Sequence, residues 1–527
     1  MEKSIESTEA MHAEIRTDAE AATAWEHSLA PRRAFKVYRS AVWYAAIVSI
    51  ALVMEGFDTK IMGSLFAQPA FQKDFGFQAP NGTYQISAPW QSGLNGMSGV
   101  CSILGMFLGG YVTERFGFRK TMMATLISMP PIIFIYFFAP NLAVIAVAHC
   151  FMTLPLGIFQ TITTVYVAEI MPTALRPYLT SFYSLVWAFG QLLNAAVFRG
   201  TLSLPSPWAY RVPFALQWFW PVVLIFGVYF MPESPWWLVR QNRLDEAEVI
   251  ISRLTSPQEL DIDAKKIVSL MVFTTNHERD MESRTNYLAC FKGVNLGRTI
   301  IVMGVYIMQV VTGAPLRAYM TYFFQQAGLP TDQSFNMSIV ALVVSVLGVF
   351  GAWVVMTFAG RRTMYLWGNL ISIVLFTAIG GMGISLRQAP SSALSWAIGS
   401  LLAIDGFVAN CLVLPITFVL VSEIPSSLLR SKSVVIARNT YTAVNIVAGV
   451  ITPYMLNPTA WGWGALTGFF WAGLCVIGFL FTFLMVPESK GRTIAEMDIL
   501  FEKKVPVRRF KETKVDLADV DEIPERP

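Results

Sequence analysis

Twelve apolar runs, each near or above the roughly 20 residues that an α-helix needs to cross hydrocarbon, constrain this chain more than any other feature. They fall approximately at 43–66, 91–113, 121–139, 142–168, 178–199, 212–231, 298–325, 336–358, 363–384, 393–421, 431–455 and 464–486. In lipid every backbone N–H and C=O has to be satisfied by protein, so runs of this length predict helices. Pro130, Pro131, Pro155, Pro221, Pro315 and Pro415 lie inside the runs and are expected to kink the helices rather than end them. Composition agrees: 54% of the residues are apolar and 14% charged, with a mean hydropathy of +0.51, where soluble domains carry about 25% charge. The expected fold class is an all-α membrane protein.

Other classes lose support on residue patterns. A net charge of +4 is small for 527 residues, and the cations sit in short loops rather than on one face, which argues against nucleic acid. The four histidines form no ligand cluster and no phosphate-binding GxxxxGK[ST] loop occurs, so neither a metal or cofactor nor an ATP-driven pump or enzyme is expected. Five scattered cysteines predict free thiols. What remains is passive or ion-coupled membrane work, expected of a monomer in a lipid bilayer. The first forty residues are polar and acid-rich, without the apolar stretch of a signal peptide. Loops on the side of the N-terminus hold Arg115, Arg119, Lys120, Arg176, Arg361, Arg362, Arg430 and Lys432, whereas the opposite short loops hold Lys73, Arg199, Arg211 and Arg387. The positive-inside rule then makes both termini cytoplasmic, in a multi-pass protein expected in the plasma membrane.

A polar stretch between the sixth and seventh runs divides them six and six, and the halves echo one another. Pro232-Glu233-Ser234 recurs as Pro487-Glu488-Ser489, an offset of 255 (487 − 232). Glu169 and Arg176 recur as Glu423 and Arg430, an offset of 254 (423 − 169), and Gly117-Phe118-Arg119 is echoed by Gly360-Arg361-Arg362. The expected organisation is a tail (1–42), a six-helix bundle (43–231), a cytoplasmic linker with helices (232–297), a second six-helix bundle (298–486) and a second tail (487–527). Two parallel repeats of this kind make a transporter with its substrate site between them.

At these motifs the chain resembles the major facilitator superfamily and, within it, the sugar porters. The carriers of the resemblance are GYVTERFGFRK (110–120), AEIMPTALR (168–176), SEIPSSLLR (422–430), PESPWWL (232–238) and PESKGRT (487–493). EGFDT (55–59), QTITTVYVAEI (160–170), ARNTY (437–441) and DILFE (498–502) are most similar to fungal α-glucoside and maltose permeases, which are proton symporters. The resemblance implies twelve transmembrane helices in two pseudo-symmetric bundles. Glu114, Arg115, Glu169, Arg176, Glu423 and Arg430 stand where helix ends meet the cytoplasm, so ion pairs and helix-dipole contacts among them are expected to latch the outward-facing state and break as the halves rock, the alternative being that they only fix topology.

Charges within spans cost roughly 2.5 to 3.5 kcal/mol each on insertion scales, so each requires an account. Glu55 and Asp58 are three residues apart and share a face of the first helix, where two acids raise one another's pKa toward reversible proton binding. The resemblance places Asp58 at the family's coupling aspartate. Lys60 replaces a small or hydroxyl residue; it either snorkels outward or holds Asp58 ionised. The resemblance also puts His149 where proton-coupled relatives carry an arginine, so it either shares the proton or is a satisfied structural residue. Arg317 and Asp405 differ in height by about 4.5 Å at 1.5 Å per residue, which permits either a buried bridge or joint recognition of a polar or acidic substrate.

Sugar recognition needs amides and hydroxyls for many OH groups, and aromatic faces for the ring. The candidates are Gln191, Gln309, Arg317, Tyr319, Tyr322, Asp405, Asn410, Phe418 and Asn439. Gln191 matches the family's GQL glutamine, and Gln309 the first glutamine of its QQxxG signature, the second being Val310 here. The expected function is proton-coupled uptake of a sugar or α-glucoside by alternating access. The alternatives are an exporter or carrier of another hydroxylated metabolite, and a sugar sensor that does not transport, for which the forty or so residues after 486 are a short signalling tail.

Overall fold

The computed structural model describes residues 2–79, 82–172, 175–256, 262–284, 286–426, 429–490, 492, 494–503, 505–510 and 512–513. All twelve apolar runs are helical. Spans one to four are Arg39–Ala67, Ala88–Phe116, Phe118–Phe137 and Leu142–Ile170, and span five is Arg176–Thr201. Span six is Trp208–Leu216 followed by Phe219–Phe230. Span seven is built from Gly293–Val311, Ala314–Ala318 and Met320–Gln326. Spans eight and nine are Thr331–Phe358 and Arg361–Gln388; span ten runs from Ser392 to Glu423, span eleven is Arg430–Leu456 and span twelve is Thr467–Met485. Among the described residues eleven of these spans are long and apolar enough to cross a membrane, all but Arg176–Thr201; the side on which span one begins is called here the near side.

The prolines divide by context. Pro130, Pro131 and Pro155 sit inside continuous helices, and the Pro130 carbonyl takes a hydrogen bond from Trp218 Nε1 at 3.1 Å. Span ten passes Pro415 by widening into a π turn at Ala409–Val413, which absorbs the N–H that proline lacks. Pro221 and Pro315 do end a helix, contrary to the expectation of kinks alone. Span six breaks at Gln217–Trp218, four residues ahead of Pro221. Span seven stops at Val311, turns through Gly313 at φ 81°, and restarts with Pro315 in its first turn. Gly at the stop and Pro at the restart are the residues that these positions favour.

The described residues form two compact units. The first comprises Met1–Phe57, Val100–Gly190 and Phe214–Ser283. In it Gly105 and Gly109 bring span two against the backbone of span four at Leu154 and Ile158, an approach that side chains would block. The N-terminal segment, read from sequence as a tail, is helical over Glu2–Ser28 and Pro31–Val37. Ala19, Ala22, Leu29, Ala34 and Val37 are buried, and Ser256 N–H donates to the Val37 carbonyl at 2.7 Å. A small cavity of about 50 Å³ is lined there by Trp25, Glu26, Tyr38, Glu169, Trp236 and Met271.

The second unit comprises Asp58–Gly99, Gln191–Pro213 and Arg284–Pro527. Its core is a cluster of Val305, Tyr306, Tyr365, Val413, Ile416 and Leu420 with their neighbours. In it the far ends of spans one, two and five pack with the second half of the chain: Tyr322 OH donates to Gln85 at 2.9 Å, Ser92 to the Val450 carbonyl at 2.6 Å, and Arg199 to Asn336 at 2.6 Å. A two-stranded ribbon, Phe77–Gln78 with Tyr84–Gln85, is an addition to the all-α expectation. Large apolar side chains such as Phe107, Phe226 and Phe358 are exposed, as a surface that meets lipid requires.

Candidate functional site

The sequence echoes are two sides of one structural joint, made once in each unit. Glu233 Oε1 accepts the Phe118 N–H at 2.8 Å, and both its oxygens lie within 3.4 Å of the Arg119 nitrogen. These are the first N–H groups of span three, which no carbonyl of its own helix can reach, and a carboxylate also suits the positive end of the helix dipole. Gly117, at φ 90°, leaves the space that the carboxylate fills. Arg119 Nη2 donates to the Tyr229 carbonyl at 2.5 Å, with its guanidinium 5.7 Å from the Tyr229 ring centre. In the second unit Glu488 Oε1 accepts the Arg361 N–H at 2.7 Å, and Gly360 lies against that carboxylate. Arg362 Nη2 donates to the Phe483 carbonyl at 2.8 Å and lies 5.7 Å from the Phe483 ring centre. Burial pushes the Glu233 carboxyl above its ordinary range, and the N–H groups of Ser234, Phe118 and Arg119 pull it back. Glu233→Ala is expected to destabilise the folded protein by about 1 to 2 kcal/mol, the upper range for a lost helix cap; an unchanged midpoint of thermal unfolding in detergent would refute that role.

Around these joints stand the residues expected to gate. Glu169 accepts from Arg240 Nη2 at 2.9 Å and from Ser234 Oγ. Glu423 lies 3.7 Å from Arg361 Nη2. Among the described residues, these partners of both glutamates come from outside the six residues singled out in the sequence. Glu114 and Arg115 are exposed, and it is the Glu114 carbonyl that is engaged, by Trp237 Nε1 at 2.9 Å. Arg430 is half-buried, and the side chain of Arg176 lies outside the described residues. The DILFE segment has a physical role: Asp498 pairs with the buried Arg298 at the start of span seven, whose guanidinium lies 4.7 Å from the Phe501 ring centre. Sequence reasoning missed Arg298 because it stands at the edge of an apolar run, where a cation reads as a loop residue.

Deeper in the spans, Arg317 Nη1 meets Asp405 Oδ2 at 2.6 Å and the Thr312 carbonyl at 2.5 Å. The other oxygen of Asp405 accepts from Ser372 Oγ of span nine at 2.8 Å. Asp405 is 0% exposed, so its carboxylate is enclosed by spans seven, nine and ten of the second unit. Lys60 does not snorkel outward. It is 8% exposed, and Nζ donates to the Arg317 carbonyl at 2.5 Å, which the break in span seven makes available.

The proton-coupling candidates are all buried. Glu55 Oε1 accepts from Gln160 Nε2 of span four at 2.9 Å, and Asp58 follows one turn later on the same helix. His149 Nδ1 is 2.6 Å from Tyr136 OH of span three, the kind of partner that a satisfied core histidine has. Among the sugar candidates, Gln191 is buried, while Gln309 Nε2 and the Tyr319 hydroxyl are buried without a hydrogen-bond partner among the described residues. Tyr319 stacks on Phe66 at 6.2 Å. Tyr322 is committed to Gln85, and Asn410 donates to Gly406 of its own helix at 2.9 Å. Phe418 and Asn439 are exposed, with Phe418 edge-on to Tyr306 at 6.5 Å.

Twelve helical spans, a joint made twice, and amides and acids within the spans define a membrane transporter rather than an enzyme. The chain belongs to the sugar transporter family, the sugar porters of the major facilitator superfamily: the family model described as "Sugar (and other) transporter" matches residues 44–501. It is 37% identical over 505 residues to the general α-glucoside permease of Saccharomyces cerevisiae, which covers 95% of this chain and 81% of that protein. A maltose permease of the same yeast is 38% identical over 509 residues, covering 95% and 82%. The fold matches that of the xylose transporter XylE from E. coli in a partially occluded inward-open conformation, with a TM-score of 0.68 and 20% identity over 86% of this chain and 100% of the other. The proton:xylose symporter XylE bound to a bromo-deoxyglucose matches with a TM-score of 0.63 and 22% identity.

Proposed function

We propose that this sugar porter takes up an α-glucoside or similar sugar together with protons, by alternating access, across a plasma membrane whose cytoplasmic face is the near side. The observation that carries the reading is the 37–38% identity to yeast α-glucoside and maltose permeases along 95% of the chain. Two acids buried one turn apart on span one support the coupling. In this reading Glu55 and Asp58 take up the proton, and Gln191, Gln309 and Tyr319 supply amides and a hydroxyl for the solute. Glu114, Arg115, Glu169, Arg176, Glu423 and Arg430 gate the near side, and residues 43–231 and 298–486 rock as two bundles about the linker.

The test is uptake into proteoliposomes across disaccharides, monosaccharides and polyols, with and without an imposed proton gradient. Accumulation of an α-glucoside only with the gradient is expected; gradient-independent equilibration of every solute would overturn the coupling. The departure at Val310 favours a second reading, transport of another hydroxylated metabolite, which the same screen addresses. His149→Arg is expected to shift the pH profile of uptake if His149 shares the proton, and to leave the profile unchanged if its bond to Tyr136 is its whole role.

A further inference from the structure

Each break in span seven leaves helix carbonyls beyond the reach of the N–H groups that would continue the ladder. A buried cation covers each. At the first, Arg317 Nη1 donates to the Thr312 carbonyl; at the second, Lys60 Nζ donates to the Arg317 carbonyl. Positive charge at a helix C-terminus is favourably placed. The two cations differ in what else holds them. Arg317 is fixed by Asp405 within the same bundle of helices, whereas Lys60 reaches the break from span one and its hydrogen-bond partner is a neutral carbonyl.

Lys60 also opens a seam. Gly63 lets the backbone of span one approach the Ala318 carbonyl, Phe66 stacks on Tyr319 at 6.2 Å, and Gln325 Nε2 donates to the Ala67 carbonyl at 2.7 Å. Lys60, Gly63 and Ala67 follow one another at three and four residues, so they share one face of span one.

We propose that Lys60 is the positioning residue that holds this seam closed: its ammonium caps the second break of span seven while the far half of span one lies against it, and that bond breaks each time the far side opens. An ammonium can leave a neutral carbonyl for water more readily than it can leave a buried carboxylate. The inference rests on the alternating-access reading, but its test needs neither the right solute nor proton coupling.

Ser64, 6% exposed beside the seam and bonded to Asn194 at 2.8 Å, is the reporter. In Ser64→Cys protein, an impermeant maleimide applied from the far side is read over the background of the five native cysteines. Lys60→Thr and Lys60→Met, each added to that protein, are expected to raise the labelling rate roughly ten-fold, the bias that a lost hydrogen bond to a charged group implies. Lys60→Arg, which keeps the cation, is expected to stay within about two-fold. An unchanged rate in well-folded Lys60→Thr or Lys60→Met overturns the proposal. Failure of both to fold overturns it as well, because a tie that opens in every cycle cannot be what folding depends on.

Discussion

Arg317→Gln and Asp405→Asn are each expected to lower the amount of folded protein in the membrane sharply, while the double substitution restores most of it. Removing one partner of a buried ion pair leaves the other uncompensated at a cost of roughly 3 to 5 kcal/mol, whereas removing both abolishes the unpaired charge. The geometry adds a reason for Asp405→Asn to be severe: the carboxylate accepts from both Arg317 and Ser372, and the amide presents one acceptor in place of two. Abundance by fluorescence-detected chromatography, together with affinity for the transported solute, separates this bridge from substrate recognition. Near-normal affinity in the recovered double mutant is the expected result. Affinity that stays lost there would mean that the pair also contacts the solute.

Asp58→Asn is expected to abolish accumulation of solute against its gradient while leaving exchange across the membrane. An asparagine keeps the shape of the side chain and loses the titratable proton, so the cycle continues without being driven. Concentrative uptake by this variant at the wild-type level would remove Asp58 from the coupling mechanism. Glu55→Gln serves as comparison, because the Gln160 amide already bonds the Glu55 carboxylate and can bond a glutamine in its place.

The fold was legible because crossing lipid forces a long apolar helix, and the ends of the twelve runs fall within about five residues of the ends of the twelve spans. The first break of span seven was hidden by reading Pro315 alone; Gly313 two residues earlier is the stop signal that would have exposed it, whereas the second break, at Tyr319, has no glycine or proline to mark it. The packed N-terminal helix was missed because its buried face is largely alanine, which carries little hydropathy signal in an acidic stretch. Heights along the spans allowed Arg317 to meet Asp405, and they do meet. Lys60 was unreadable for a different reason: its partner is a carbonyl 257 residues away, and main-chain acceptors leave no mark in a sequence. The repeated motifs were visible as echoes, but not that each glutamate caps the helix begun by the other echoed motif.

That joint has a use beyond holding two helices in place. Since one molecule carries it twice, with Glu233 on Phe118 and Glu488 on Arg361, each copy is a matched control for the other under the same lipid, expression level and assay. A substitution at one glutamate and then at its counterpart asks which half of the carrier limits turnover. Any inequality between the two measures how unequally the two repeats share the work of transport.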